Sequence, residues 1–321
     1  MQAELSPGVP SGPPPVLPPA LPPAPPPEPP AAAARRLRDD LAAAVHGLAQ
    51  RPATLLPGPP AALGERGAGH FHLVPELFLQ ATGHTDFSFP GGGLRLAPGQ
   101  ALLLPPLLLH AERVQPGADG QPFGNLVIQA DAGRVTCHLA HEAGPGRPGI
   151  LHLATCQHEQ AGAVQSWLLQ AARLGAQAQH DTLAAVQAQA LVCAAAAAVL
   201  RLLDDQAAAP TEPPLVARLR VLVQNQLGDA TLSVRRLAAQ SGCSADHLSA
   251  VFVQATGEHL AACITRLRLA RAADLLRQTD MHCKQVAWAC GYARHSYFSQ
   301  CFRRAHGATP QAWRAGLPSV A

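Results

Sequence analysis

Apolar and polar positions change rhythm several times along the chain, and each rhythm predicts a different kind of structure. Residues 1–30 have no rhythm at all: "PPPVLPPALPPAPPPEPP" is proline with little to bury. Proline donates no ladder hydrogen bond, so this segment is expected to be a disordered tail, locally polyproline II. In residues 31–63, Leu37, Leu41, Val45 and Leu48 recur at helical spacing and predict a short amphipathic helix followed by a linker. From 64 to 158 the runs shorten ("HFHLV", "LFLQA", "FSF", "LRL", "ALLL", "NLVIQA", "RVTCHLA", "ILHLA") and Gly, Pro and Asp separate them. Many short strands with frequent turns predict a sandwich or small barrel. Residues 159–208 return to helical spacing as two long helices with a polar break near "QHD". Their faces suit packing on the β region or on a second copy of the chain. "APTEPP" at 209–214 reads as a linker, and 215–316 is helical throughout.

That last segment has internal grammar. In "TLSVRRLAAQSGCSADHLSAVFVQATG", Ser233 can cap a short helix, Gly242 can take the positive φ of a sharp turn, and Ser244 can cap the next helix. This is a helix-turn-helix pattern. It repeats about forty residues later. "CKQVAWACG" is a short helix ending at Gly291, and "ARHSYFSQCFRRAHG" is the helix after it. Between the units lies one long helix, "HLAACITRLRLARAADLLRQT". In the second unit, Phe298, Cys301 and Phe302 share a face and should bury. His295, Ser296, Ser299, Gln300 and Arg303 then turn outward. Gln300 can bond adenine with both ends of its amide, and serine can meet either base type. Arg294, Arg303 and Arg304 suit phosphates. In the first unit, Leu248 and Phe252 should bury, leaving Ala245, Asp246, Ser249, Ala250 and Val253 outward.

Charge supports a polyanion partner for this third of the chain. The net charge is only +3, but residues 215–321 carry 13 Lys+Arg against 5 Asp+Glu, and the remainder 11 against 16. A solvated basic face is the plainer alternative. The motifs decide for the first. "LSVRRLAAQSGCSADHLSAVFVQATG", "RLRLARAADLL" and "VAWACGYARHSYFSQCFRRAHGATPQAWR" resemble the C-terminal domain of AraC/XylS-type transcription regulators over roughly 215–316. Gly291, Tyr292, Phe298, Phe302 and Arg303 match its G-[FY]-x₅-F-x₃-F-[KR] signature. The resemblance implies two recognition helices entering successive major-groove segments on one face of double-stranded DNA. The first unit departs from the pattern: the family often has arginine at Ala250 and a basic residue at Val253. Asp246 also repels phosphate, although it can accept from cytosine, and Ala250 can meet a thymine methyl. The second unit is therefore expected to carry more of the base reading.

The remaining candidate chemistry lies in "GHFHLVPELFLQATG", which places His70, His72 and Glu76 within seven residues. Strand alternation turns His70 and His72 to one side, where two imidazoles and a carboxylate could hold a divalent metal. The stretch also resembles a cupin. Gly64, His70, His72, Glu76 and Gly83 fit that fold's first motif, and Gly99, Pro105 and His110 fit most of the second. Leu107 stands where the second motif has glycine, and Val114 where it has asparagine. The resemblance makes His70, His72, Glu76 and His110 candidate ligands. Three readings stay open: a metal site, a metal-free pocket for an organic effector, and a structural polar cluster.

Eight scattered cysteines, with no C-x-x-C pair, give no paired-cysteine zinc site. Together with the absence of a signal-peptide pattern, they lead to the expectation of reduced thiols in a cytoplasmic protein. The run "LVCAAAAAVLRLL" is too short to cross a membrane. The expected architecture is α+β. A cupin-like β-barrel (64–158) and a helical packing or dimerisation segment (159–208) precede an all-α domain with two helix-turn-helix units (215–316). The expected function is a homodimeric, non-enzymatic transcription regulator, such as an activator. It would bind promoter or operator DNA and answer to a small effector, with a divalent metal as the one candidate cofactor and RNA polymerase as a candidate partner. The alternative is a metal-dependent cupin enzyme fused to a DNA-binding domain.

Overall fold

The computed structural model describes residues 30–56, 69–72, 74–89, 92–131, 133–205 and 213–316. The proline-rich tail, Gly64 and most of the "APTEPP" linker lie outside the described residues. Helix α1 (Pro30–Leu48) comes first among the described residues. Nine strands follow: β1 (Thr54–Leu55), β2 (Glu76–Thr82), β3 (His84–Phe89), β4 (Gly92–Leu96), β5 (Ala101–Leu104), β6 (Ala111–Gln115), β7 (Gly124–Ala130), β8 (Arg134–Gly144) and β9 (Arg147–Gln157). Then come α2 (Ala161–Leu174), a 3-10 turn (Gln177–Gln179) and α3 (Thr182–Asp205). The C-terminal helices are α4 (Pro214–Gln226), α5 (Val234–Ser241), α6 (Ala245–Thr256), α7 (Leu260–Gln278), α8 (Cys283–Ala289), α9 (His295–His306) and α10 (Pro310–Arg314).

The expected closed barrel is instead two sheets. One has the order β1-β5-β2-β7-β8-β9, the other β4-β3-β6, and among the described residues no ladder joins them. Part of the reason is local. The chain crosses from β5 to β6 through "PPLLLH", where two prolines supply no N–H, so the crossing is a loop and not a continuing strand.

Strand alternation assigns the two faces of the larger sheet. Leu77, Leu79, Leu103, Leu126, Ile128, Cys137 and Leu139 point to one side and form a single core with residues of α1, α2 and α3. Phe78, Leu102, Leu104 and Val127 point to the other and pack on Phe87 and Leu96 of the smaller sheet. Both faces are covered, so "ELFLQ" is buried throughout, with no exposed alternate positions. Glu76 and Gln129 lie on the inward faces of β2 and β7, and His138 follows by the same alternation on β8. All three are buried polar residues between the sheets.

Over its full length α3 is long and apolar enough to cross a membrane, which the short alanine run did not suggest. Here Ala184, Ala188, Val192, Ala195, Ala196, Val199, Leu202 and Leu203 are buried within the chain. Leu183 and Val186 stand exposed on the same helix.

The C-terminal helices form two units on a shared α7. The first packs Leu237, Leu248 and Phe252 with Val216, Leu219 and Ile264. The second packs Val286, Phe298 and Phe302 with Leu269, Ala272 and Leu276. Arg268 of α7 donates to the carbonyls of Leu227 (3.0 Å) and Asp229 (2.7 Å), which fixes α4 to the shared helix. Thr309 caps α10 by accepting from the Ala312 amide, and Arg314 donates to the Leu276 carbonyl at 3.2 Å. The closing "TPQAWR" is therefore a clamp on α7.

Candidate functional site

The four candidate ligands meet between the sheets. One donor atom each from His70, His72, Glu76 and His110 lies within 4.8 Å of all the others. The strand expectation for His70 and His72 holds in part: His70 forms only an isolated antiparallel bridge with His110. Their backbones exchange two hydrogen bonds, 2.8 and 2.9 Å long. Gly69 has φ of +133°, and a Cβ there would lie 2.6 Å from the His110 carbonyl carbon, so this close approach requires glycine. Glu76 arrives separately, as the first residue of β2.

Polar satisfaction inside the cluster is incomplete. Glu76 Oε2 lies 3.2 Å from His72 Nε2 and 3.4 Å from His110 Nε2. Yet none of these three buried atoms has a hydrogen-bond partner of adequate direction. Buried polar atoms are seldom left so, and a group of them converging on one point is what a cation would satisfy. Protonation favours the same reading. Burial, with neighbouring His110 and Arg271, holds His70 well below the usual imidazole pKa. Burial, with the neighbouring His70, His110, Arg271 and His138, does the same to His72, and burial lowers His110 to about 4. Neutral imidazoles are the ligating form. His110 Nδ1 sits 3.0 Å from the Leu108 carbonyl, so that nitrogen carries the proton and Nε2 presents its lone pair to the cluster. Gln129 donates its amide to Glu76 Oε1, leaving Oε2 for the cluster. Burial, with nearby Glu112, raises the Glu76 carboxyl well above its usual range, so its ligating, ionised form requires a positive charge beside it. The donor set fits a divalent ion of the Zn²⁺, Ni²⁺, Fe²⁺ or Mn²⁺ kind.

Sequence reasoning missed three neighbours. Glu112, one period of two beyond His110, comes 4.0 Å from both His70 Nε2 and His110 Nε2, and burial raises its pKa to about 7. The alternation of β6 could have found it. Gln129 and His138 lie more than fifty residues downstream of Glu76, and only the pairing of β2 with β7, and of β7 with β8, brings them in.

The second candidate site is on the C-terminal helices. Ser233 and Ser244 accept from the amides of Arg236 and His247, and Gly242 and Gly291 hold φ of +67° and +75°, as the pattern requires. On α9, Phe298 and Phe302 are fully buried, and Cys301 is half-buried. His295, Ser296, Gln300, Arg303 and Arg304 are exposed, as is Arg294 just before the helix; Ser299 is half-buried. On α6, Asp246 and Ala250 are exposed. Ser249 is half-buried, and its hydroxyl donates to the Ala245 carbonyl at 2.8 Å, which leaves it only acceptor capacity toward a partner.

Comparison with known proteins places the C-terminal region. Residues 237–316 match the family described as "Helix-turn-helix domain", which spans both units from α5 to α10. The HTH-type transcriptional regulator CdhR of Pseudomonas aeruginosa is 50% identical over 52 residues, 16% of each chain. The HTH-type transcriptional activator RhaR of an Enterobacter species is 29% identical over 114 residues, 36% of this chain and 40% of that one. The MmsAB operon regulatory protein of P. aeruginosa is 28% identical over 220 residues, 68% of this chain and 67% of its own. The first relatives are thus matched over only 16%, 24% and 40% of their length. The DNA-binding domain of AdpA, solved with a target DNA, is 27% identical over 32% of this chain and 90% of its own, with a TM-score of 0.30.

Proposed function

We propose, from a C-terminal segment that belongs to the helix-turn-helix domain family, that the whole chain is an AraC-type transcription regulator. In this reading its β-rich half senses a small effector in a cupin-like pocket. The observation that carries the DNA-binding half is the pair of helix-turn-helix units, the first capped by Ser233 and Ser244, whose outward faces, Gln300 among them, are open. Arg294, Arg303 and Arg304 hold phosphates and set affinity; His295, Ser296, Ser299 and Gln300 read base edges, with Asp246, Ser249 and Ala250 as the weaker first reader. The sensor pocket is His70, His72, Glu76 and His110. Their converging unpartnered atoms favour a metal over a metal-free cluster. A bound divalent ion would supply a fixed positive centre on which an anionic or carbonyl-bearing effector could dock. The chain's own groups then orient it: Gln129 sets Glu76, the Leu108 carbonyl sets His110, and Glu112 faces whatever enters beside His70.

The protein acts in the cytoplasm as a homodimer, with the exposed Leu183 and Val186 of α3 as a place to start mapping its seam. RNA polymerase is the partner through which activation would proceed. A metal-dependent enzyme is the alternative, and no observation favours it. The deciding experiment selects duplexes from a randomised pool with the full-length protein and measures their binding by anisotropy. A recovered consensus, bound tightly and in preference to scrambled DNA, is expected; binding without sequence preference would overturn the reading. Metal analysis of the purified protein, with His72→Ala as control, tests the pocket.

A further inference from the structure

The segments that deliver the pocket's histidines also build the contact with the DNA-binding half. Phe71 lies between His70 and His72 and points away from the pocket, toward α7. Its ring is buried under the guanidinium of Arg271, with Cζ 3.4 Å from the ring centroid, and Arg271 Nη2 donates to the Phe71 carbonyl at 2.8 Å. Arg271 is only 2% exposed, its Nε has no hydrogen-bond partner, and among the described residues no carboxylate pairs with it. A guanidinium buried without a counter-charge is costly, so the Phe71 ring and carbonyl are what hold it.

A second contact is equally specific. Leu107 and Leu109 join Phe71 in one apolar cluster with Leu269, Ala272 and Leu276 of α7. Leu107 is the one non-glycine among the described residues with positive φ, 69°, at the position where the cupin motif has glycine. A branched residue held there costs energy that glycine would not. Its amide donates to the His72 carbonyl at 2.8 Å. Leu107 therefore touches a pocket histidine with its backbone and α7 with its side chain.

We infer that Arg271 is a positioning residue that couples occupancy of the histidine pocket to DNA binding, with Phe71 and Leu107 as the transmitting contact. This rests on the metal reading of the pocket. With His70 and His72 both committed as ligands, the backbone between them loses freedom, and Phe71 is held on Arg271. Linkage makes the effect reciprocal: α7 seated on Phe71 and Leu107 presets the histidines for the ion.

The test uses full-length protein, Zn²⁺ as probe and a duplex recovered by selection. It compares wild type, Arg271→Gln, Phe71→Leu and Leu107→Gly. Glycine tolerates a φ of 69°, so Leu107→Gly is expected to fold even where Arg271→Gln does not. In wild type, Zn²⁺ should slow amide exchange over 268–276 of α7 and change the duplex Kd by about fivefold or more. In the variants Zn²⁺ should still bind with one equivalent, while its effect on the duplex Kd falls below about twofold. A merely structural role would lower thermal stability and leave that ratio unchanged. Stoichiometric Zn²⁺ with undiminished coupling in Leu107→Gly and Arg271→Gln overturns this inference alone. Absence of Zn²⁺ from wild type overturns the metal reading and the inference with it.

Discussion

Gln129 offers the sharpest test of the pocket, because it should act on the metal without touching it. Its amide donates to Glu76 Oε1 from the neighbouring strand, where Gln129 pairs with Glu76 in the β2–β7 register. Gln129→Met keeps the volume and removes the donor. In metal-free protein, the Glu76 carboxyl loses its partner while buried, which costs about 1–3 kcal/mol of stability. In metal-bound protein, loss of such an orienting partner weakens affinity about 10–100-fold. At a Zn²⁺ concentration of about 100 times the wild-type Kd, wild type gains about 2.7 kcal/mol from the ion. The variant then gains about 1.4 kcal/mol if its affinity falls tenfold and about 0.4 if it falls a hundredfold. Competition against a chromophoric chelator gives the affinities, and urea unfolding with and without Zn²⁺ gives the stabilities. If Gln129→Met binds Zn²⁺ within about twofold of wild type while His72→Ala has lost it, the second-tier role assigned to Gln129 is wrong. If His72→Ala itself binds like wild type, the pocket is not the metal site.

Other predictions concern the DNA face and the fold. Gln300→Ala should cost about 1–3 kcal/mol of specific binding and relax preference at one base pair, read by repeating the selection; an unchanged consensus refutes its reading role. Arg303→Ala should weaken all duplexes alike and reduce the slope of log K against log salt by about 1, measured by anisotropy titrations. Gly291→Ala puts a Cβ 2.6 Å from the Leu227 carbonyl oxygen at φ of +75°, so it should destabilise the second unit by about 1–3 kcal/mol in urea unfolding. His138 is buried and its pKa is lowered to about 4. The unfolded chain therefore takes up this proton first as pH falls from about 6.5, and stability drains away down to about pH 4. Relative to His138→Asn, metal-free wild type should lose roughly 3 kcal/mol more between pH 7.5 and 4.

Much of the C-terminal half was legible in the sequence because its signals are local. A serine before an apolar period, a glycine at its end and aromatic residues four apart are read within one or two helical turns. Ser233, Gly242, Ser244, Gly291, Phe298 and Phe302 all occupy the places those signals assign. Periodicity turned Ser249 outward but could not reveal that its hydroxyl proton goes to the Ala245 carbonyl, leaving it an acceptor. The β half was read at lower resolution. Turn residues announce strands but not which edges pair, so the strand pattern left sandwich and barrel open; two packed sheets form, and not the cupin-like barrel.

The sequence by itself determined the residue types of both sites: two imidazoles around an aromatic residue, a carboxylate four positions on, and two helix-turn-helix units, the first capped by Ser233 and Ser244, on a basic segment. Only the tertiary structure decided what those residues face. His110 reaches His70 through a bridge forty residues away, and Gln129 and Glu112 enter by strand pairing. Arg271, two hundred residues downstream of Phe71, became part of the outer wall of the histidine cluster. The physical reason is that periodicity and capping act over a few residues of backbone. Burial, charge compensation and coupling depend on which distant surfaces come together, and no short window of sequence carries that.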